Sequence, residues 1–158
     1  MEYIFAAIAL AGILFLGVNT YNNYRFHAKP ISSAIQMKID AKEQEITKRI
    51  YEHYGISFQV PLIISDNMPS NLYGVATLEI HENIKIYINK KRIKESLDYI
   101  LDDVLAHEYA HALMFLNGNI NRKDGHTKMW QEICSNLGGS RCDRYVNHND
   151  IVLGKMKF

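Results

Sequence analysis

The chain has 158 residues with 18 basic and 17 acidic side chains, which leaves a formal net charge of only +1. This balance gives no support to nucleic-acid binding, which needs a basic surface for the phosphates. The length suits one hydrophobic core but not two. Two cysteines, Cys134 and Cys142, are too few for a disulfide framework, so we expect Cys134 to be a core residue, with a bridge between the two as the alternative.

The first segment is apolar and lacks charged side chains from Tyr3 through Tyr24. Its most apolar part, Tyr3 to Val18, would rise about 24 Å as a helix, and residues 19–24 extend it toward the span of a bilayer. A cleaved signal peptide would need a basic start and a small-residue cleavage site, which this sequence lacks. We therefore predict an uncleaved transmembrane anchor at residues 1–24 and a juxtamembrane linker at residues 25–34.

Basic residues predict the orientation of this anchor, because they are retained on the cytoplasmic side. Four of them follow the apolar segment closely, namely Arg25, Lys29, Lys38 and Lys42. Before the segment, the α-amine is the only basic group. We therefore expect a single-pass membrane protein whose folded domain is cytoplasmic.

Residues 35–148 have the pattern of one small α+β domain. Isoleucines at helical spacing predict a helix that ends at Gly55: Ile35, Ile39, Ile46 and Ile50. Three strands are predicted next, at Val60–Ser65, Tyr73–Ile80 and Ile84–Ile88. The last two form a hairpin around Glu82-Asn83, and we expect an antiparallel sheet. Residues 149–158 are predicted to be a solvated tail.

The most informative motif is His107-Glu108-Tyr109-Ala110-His111. Residues four apart lie on the same face of a helix, so the two imidazoles can reach one metal ion. Glu108 lies to one side of the pair, where it can act on a water without being a ligand. Such an arrangement is typical of hydrolytic zinc sites.

The flanking residues predict that this motif lies on a buried helix from Ser96 to about Asn117. Apolar residues recur there at spacings of three and four: Leu97, Ile100, Leu101, Val104, Leu105, Ala112, Leu113 and Leu116. Ser96 is a suitable N-cap, and Gly118 is a suitable helix stop.

Catalytic zinc needs a third protein ligand, and the sequence offers two. A metzincin would have a glycine and a histidine where Met114 and Asn117 stand, so that class is rejected. Glu132 would be the ligand in a gluzincin. His126 is the other candidate, at the start of a second helix in which Trp130 packs against the core.

These residues resemble the SprT-like (Spartan-type) zinc metallopeptidases. The matching features are the His107 motif on a helix, then a loop, then Gly125-His126 with Trp130, over approximately Ile35 to Tyr145. The resemblance implies a zincin-like domain in which His107, His111 and His126 bind Zn²⁺ and Glu108 is the general base. It also implies a metalloprotease that hydrolyses peptide bonds of protein or peptide substrates.

Two departures from the family qualify this expectation. The zinc ribbon that several family members carry after the domain is absent from this sequence, and the hydrophobic N-terminus is not found in the DNA-repair members. A non-catalytic, zinc-stabilised adaptor that binds peptides at the membrane is the alternative outside the enzymes. Tyr73 and Tyr109 are candidates for stabilising the oxyanion in the enzyme.

Overall fold

The computed structural model describes residues 2–79, 83–119 and 125–143. The chain divides into two compact units after Ser32. The predicted tail at residues 149–158 lies outside the described residues, as do the end of the predicted domain and Glu82 of the predicted turn.

The first unit contains one long apolar helix, α1 (Glu2–Ala28). Within it, Tyr3–Phe26 contains an 18-residue window with a mean hydropathy of 2.0, and none of that window is buried. By length and composition this helix can cross a membrane. It continues through Ala28, so the first residues of the predicted linker 25–34 are helical.

The second unit begins with α2 (Ser33–Tyr54), as the isoleucine spacing predicted. Ile39, Ile46 and Ile50 are completely buried on one face of this helix. Gly55 has a φ of +68° and donates its N–H to the carbonyl of Tyr51 at 2.9 Å. The predicted end of the helix at this glycine is thus confirmed, because only a residue without a side chain adopts this conformation cheaply.

Three strands form one sheet in the order β1-β3-β2. Their bounds are Leu62–Ser65 for β1, Gly74–Leu78 for β2 and Ile84–Asn89 for β3. β2 and β3 are antiparallel, with Ala76 opposite Ile86, which confirms the pairing expected of a hairpin. Ile86 and Ile88 of the central strand are completely buried.

The expectation of a fully antiparallel sheet is wrong, because β1 pairs with β3 in parallel. Leu62 lies opposite Ile86 in this pairing. The residues between β1 and β2 form a loop and not a hairpin, and β3 returns between the two strands. β3 is thus antiparallel to β2 on one side and parallel to β1 on the other, and the sheet is mixed.

The helical segment that carries the His107 motif is longer and less regular than predicted. It consists of α3 (Lys90–Tyr99), a π-helical turn (Ile100–Val104) and α4 (Leu105–Leu116). The predicted start at Ser96 is wrong: Asn89 caps α3 by accepting the N–H of Lys91 at 3.1 Å, and Ser96 is a non-helical break inside the run. Sequence patterning misses α3 because its buried face includes Lys90 and Arg92.

The other end of this helical segment is confirmed. Gly118 has a φ of +74°, and the N–H of Asn119 bonds to the carbonyl of Met114 at 2.9 Å. This is the glycine-dependent closure expected at the end of a helix.

The last described element is α5 (Lys128–Asn136). Cys134 is buried on it, as expected of a core residue, and is bonded to Cys142. Gly139 lies between them, and a Cβ at this position would fall within 2.9 Å of both sulfur atoms. The chain can therefore close this bridge only with a glycine at position 139.

A buried hydrogen bond joins α2 to α4. Tyr109 is completely buried, and its hydroxyl donates to a carboxylate oxygen of Glu43. The contact therefore fixes α4, the helix that carries His107 and His111, to α2 on the side where Tyr109 lies.

Replacing Tyr109 with Phe should lower the free energy of unfolding by about 2 kcal/mol, because the Glu43 carboxylate loses its buried donor. Tyr51, exposed on α2, provides the matched control, since Tyr51→Phe removes a hydroxyl in solvent. Denaturant titration of the full chain in detergent, followed by circular dichroism, measures both. Equal stability of the two variants would contradict the structural role of the Glu43 contact.

Candidate metal and catalytic site

Three histidines converge at one point between α4 and α5. His107 and His111 lie one turn apart on α4, and His126 comes from the extended segment just before α5. The Nε2 atom of His126 is 3.2 Å from the Nε2 atoms of both His107 and His111. Each ring thus presents one nitrogen to a common centre.

These distances fit a metal ion. Two nitrogens bound tetrahedrally at the usual Zn–N length of 2.0–2.1 Å lie about 3.3 Å apart. One candidate ligand atom from each histidine lies within 4.8 Å of the others. The three residues can therefore hold a divalent ion without rearrangement of the backbone.

The electrostatics of the site favour neutral imidazoles, which are the form that binds metals. Burial, with the neighbouring histidines, lowers the pKa of His107 to about 3. Burial and the charge of His126 lower the pKa of His111 to about 4. Both rings consequently keep a free lone pair at neutral pH.

The indole of Trp130 packs against all three imidazole rings. Trp130 is completely buried, and its ring centroid lies 4.6 Å from that of His107, 5.1 Å from that of His111 and 4.4 Å from that of His126. The Trp130 backbone is fixed by Thr127, whose hydroxyl accepts the Trp130 N–H at 3.2 Å and caps α5. Residues 125–127 therefore place His126 while the indole orients its ring.

Glu108 is buried beside the histidines and points toward β2. Its Oε2 accepts the backbone N–H of Ala76 at 2.8 Å. Burial raises the pKa of this carboxyl to about 7, against the opposing effect of the Ala76 N–H. A carboxylate that titrates near neutral pH suits a general base, and a divalent cation at the histidines would favour its charged form.

The close approach of β2 to Glu108 requires a glycine. A Cβ on Gly74 would lie 2.9 Å from Cγ of Glu108 and 2.9 Å from Cγ1 of Val104. Any side chain there would push the strand away from the carboxylate. Neither Gly74 nor Ala76 was expected at the site, because they lie more than thirty residues before Glu108 and carry no chemical signature.

The outer edge of β2 carries backbone groups that β3 does not use. Tyr73 and Glu79 pair with β3 through the bonds Asn89 N–H to Tyr73 O and Glu79 N–H to Asn83 O, both at 2.9 Å. Antiparallel bonding alternates along a strand, so the N–H and C=O groups of Gly74, Ala76 and Leu78 point away from the sheet. Among the described strands, β2 is thus an edge strand, and it lies beside the histidine cluster.

The alternative site residues lie elsewhere. Glu132 is exposed on α5 and is not part of the histidine cluster, so the structure brings His126, and not Glu132, to His107 and His111. Tyr109 faces Glu43 on the far side of α4 and is therefore wrong as an oxyanion candidate. Tyr73 lines a cleft together with His107 and Glu108 and keeps that candidacy.

A family model agrees with this geometry. The model of the SprT-like family matches residues 37–150, which is most of the chain and includes all the residues of the histidine cluster. A comparison with curated proteins found no match. With its folded unit covered by that model, the chain belongs to the SprT-like family.

Proposed function

We propose that this protein is a membrane-anchored zinc metalloendopeptidase. The observation that carries the proposal is the meeting of three histidines beside a buried carboxylate, with Nε2 of His126 3.2 Å from the Nε2 atoms of both His107 and His111. Among the described residues these three histidines are the candidate ligands, and three protein ligands leave one coordination position open, which is typical of catalytic zinc and not of structural zinc. The same feature argues against a zinc-stabilised adaptor as the protein's role.

In this proposal His107, His111 and His126 hold Zn²⁺, which when bound lowers the pKa of a water and polarises the peptide carbonyl. Glu108 accepts the proton of the attacking water and passes it to the amine of the leaving group. The Ala76 N–H holds Glu108 in place through Oε2. Tyr73, which lines the cleft with His107 and Glu108, is the proposed donor to the oxyanion.

An extended peptide can bind by adding a strand to the sheet. The outward backbone groups of Gly74 and Leu78 and the C=O of Ala76 form the edge of β2, while the outward N–H of Ala76 is bonded to Glu108. A substrate peptide paired with β2 would lie alongside the histidines with its backbone extended. We therefore expect unfolded or extended segments of proteins to be the substrates.

α1 is proposed to anchor the enzyme, with the catalytic unit on the cytoplasmic side that the flanking basic residues favour. The Cys134–Cys142 bond favours the opposite side, because disulfides persist in oxidising compartments and cytosolic ones are mostly transient. The flanking charges act directly on membrane insertion, whereas a pair of cysteines can also stay reduced in the cytosol, so we retain the cytoplasmic orientation.

The His126 ligand can be tested against Glu132, which lies on the helix that follows His126 but is exposed. His126→Ala should weaken zinc binding by more than the ~10–100-fold that loss of an outer-shell partner costs, because a direct ligand is removed. Glu132→Ala should keep full zinc content. Metal analysis of both purified variants by mass spectrometry is the measurement, and the reverse pattern would make Glu132 the ligand.

The role of Glu108 can be separated from metal binding. Glu108→Gln should keep zinc and the Ala76 contact, since the amide oxygen still accepts, but should reduce kcat by about 10²–10⁴-fold. Cleavage of an unfolded protein such as reduced casein, followed by mass spectrometry of the peptides, measures the effect. Equal turnover by the two forms with equal zinc content would exclude Glu108 as general base.

The orientation can be tested with reporters fused after Phe158 in a bacterial host. A green fluorescent protein fusion should fluoresce and an alkaline phosphatase fusion should be inactive, because the catalytic unit stays in the cytoplasm. Replacing Arg25 and Lys29 with Glu should weaken this bias. An active phosphatase fusion with a dark fluorescent one would place the catalytic unit outside the cytoplasm.

A further inference from the structure

The chain after α5 borders a cleft beside the histidines. We call residues 139–143 the wall segment. The cleft measures about 520 Å³, including the part open to solvent, and it is lined by His107 and Glu108. Arg141 and Asp143 of the wall segment line the same cleft. A change in the position of this segment would therefore change the shape of the cleft next to the reacting peptide bond.

The wall segment is attached to the fold at both ends. At its start, Asp103 of the π-helical turn is 4% exposed and accepts the Ser140 hydroxyl at 2.7 Å and the Arg141 N–H at 2.8 Å. At its end, Cys142 forms a disulfide with Cys134 of α5. The first attachment consists of hydrogen bonds, whereas the second is covalent and can be opened by reduction.

The disulfide acts on the two residues that line the cleft, because Cys142 lies between them in the chain. Arg141 and Asp143 line the cleft, while the sulfur of Cys142 is bonded to α5. Without this bond the backbone of residues 142–143 loses its covalent tie to the helix. Asp103 would still accept the N–H of Arg141, so the start of the segment would keep its place.

The bond has the features of a reversible disulfide. Basic residues after α1 favour a cytoplasmic domain, and cytosolic disulfides are mostly transient or redox-sensing. Cys142 is partly exposed, so a reductant can approach it, whereas Cys134 is 1% exposed. Exposed disulfides are the labile ones. A bridge that opens and closes thus reconciles the disulfide with a cytoplasmic location.

The fold near the cysteines is supported without the bond. Cys134 belongs to the buried face of α5 and the turn after it, together with three apolar residues: Trp130, Ile133 and Leu137. A reduced cysteine packs there as a small apolar side chain. Asp103 keeps its donors in either state, because a buried carboxylate is costly without them. Reduction should therefore loosen the end of the wall segment and leave α5 in place.

We propose that the Cys134–Cys142 bond is a redox switch that controls how tightly the cleft binds substrate. When the bond is closed, Arg141 and Asp143 are held in the wall of the cleft. When it is open, they must be ordered as a peptide binds, and this ordering weakens binding. The effect on cleavage rests on the proposed peptidase function, whereas the effect on the wall segment does not.

Opening of the switch is a thiol–disulfide exchange with a dithiol. A thiolate of the dithiol attacks the sulfur of Cys142, the more exposed cysteine, and displaces Cys134 as a thiolate that takes up a proton. The second thiol then attacks the mixed disulfide and releases Cys142 as a thiol. The dithiol becomes a disulfide and passes two electrons and two protons to the protein. Exchange with an oxidised dithiol closes the switch by the reverse steps.

The state of the switch can be read by mass, because the chain contains only these two cysteines. The full chain in detergent is equilibrated with glutathione buffers of graded reduced-to-oxidised ratio, and free thiols are then alkylated. Intact mass gives the fraction of chains that carry two alkyl groups. This fraction should be high at the strongly reducing ratio of the cytosol and low at oxidising ratios. A bond that persists at cytosolic ratios, or that never forms at oxidising ones, would overturn the proposal.

Hydrogen exchange tests the wall segment without any need for cleavage. Reduction should speed exchange of the amides at residues 142–143 by at least about tenfold, because the covalent constraint is lost. Amides of α2 are the internal control and should keep their rates. Cys142→Ser should show the fast rate in every buffer. Ser135→Ala is the matched control, since Ser135 contacts the same sulfur at 3.7 Å but leaves the disulfide intact, and it should respond as the wild type does.

Peptide binding tests the consequence for the cleft. A labelled, cysteine-free casein peptide is titrated onto zinc-loaded Glu108→Gln protein in both redox states. Reduction should raise Kd about tenfold, the cost of ordering one or two side chains on binding. In the protein with Glu108 intact, KM should rise by the same factor, with kcat and zinc content unchanged. Reduced and alkylated protein gives the same comparison without a substitution.

The outcomes separate the switch from the peptidase function. Faster exchange and weaker peptide binding after reduction would support the switch even if neither form cleaves a peptide. Cleavage that proceeds with the same KM in both states, together with equal peptide binding, would overturn the switch and leave the peptidase function standing. A response to the redox buffer that survives in Cys142→Ser protein would also overturn it.

Discussion

The site depends on the packing of one indole against three imidazoles. His107 and His111 are related by the helix itself, but His126 comes fifteen residues after His111 and lies just before another helix, α5. Trp130 lies within about 5 Å of all three rings. Its indole fills the space between α4 and α5. This packing fixes the distance from the nitrogen atom of His126 to those of His107 and His111, which the sequence alone does not determine.

The same region contains the unusual polar interior of the protein. In the described part of the chain, the buried polar or charged side chains are Asn89, Lys90, Arg92, Asp103 and Glu108. Glu108 lies in the site itself. Asn89 and Arg92 bond to carbonyls of the loop before β2, Asp103 bonds to Ser140 and Arg141, and Lys90 bonds to Asp66 at 3.1 Å. Such groups lower stability unless they are paired, so their concentration here preserves a preformed cleft at some cost in stability.

Sequence reasoning succeeded where structure follows from local periodicity. The spacing of His107 and His111, the isoleucine face of α2 and the helix ends at Gly55 and Gly118 all depend on backbone geometry within a few residues. His126 depended on family resemblance, because the residues alone left Glu132 open.

The rest depends on contacts between distant residues. Nothing local indicates that Ala76 would bond to Glu108 or Ser140 to Asp103, since the members of each pair are more than thirty residues apart. The parallel pairing of β1 with β3 likewise depends on which strands become neighbours in the sheet, whose order is β1-β3-β2. A helix rich in buried lysine and arginine, such as α3, also escapes a search for apolar stripes.

The position of Trp130 has a practical consequence. It is the only tryptophan in the chain, so indole emission from this protein arises at the floor of the histidine cluster alone. Occupation of the cluster by an ion changes the charge and motion of the rings that touch the fluorophore. A fluorimeter can therefore follow loading and removal of the ion in the unlabelled native molecule, and a paramagnetic ion such as Co²⁺ should quench the signal far more than Zn²⁺.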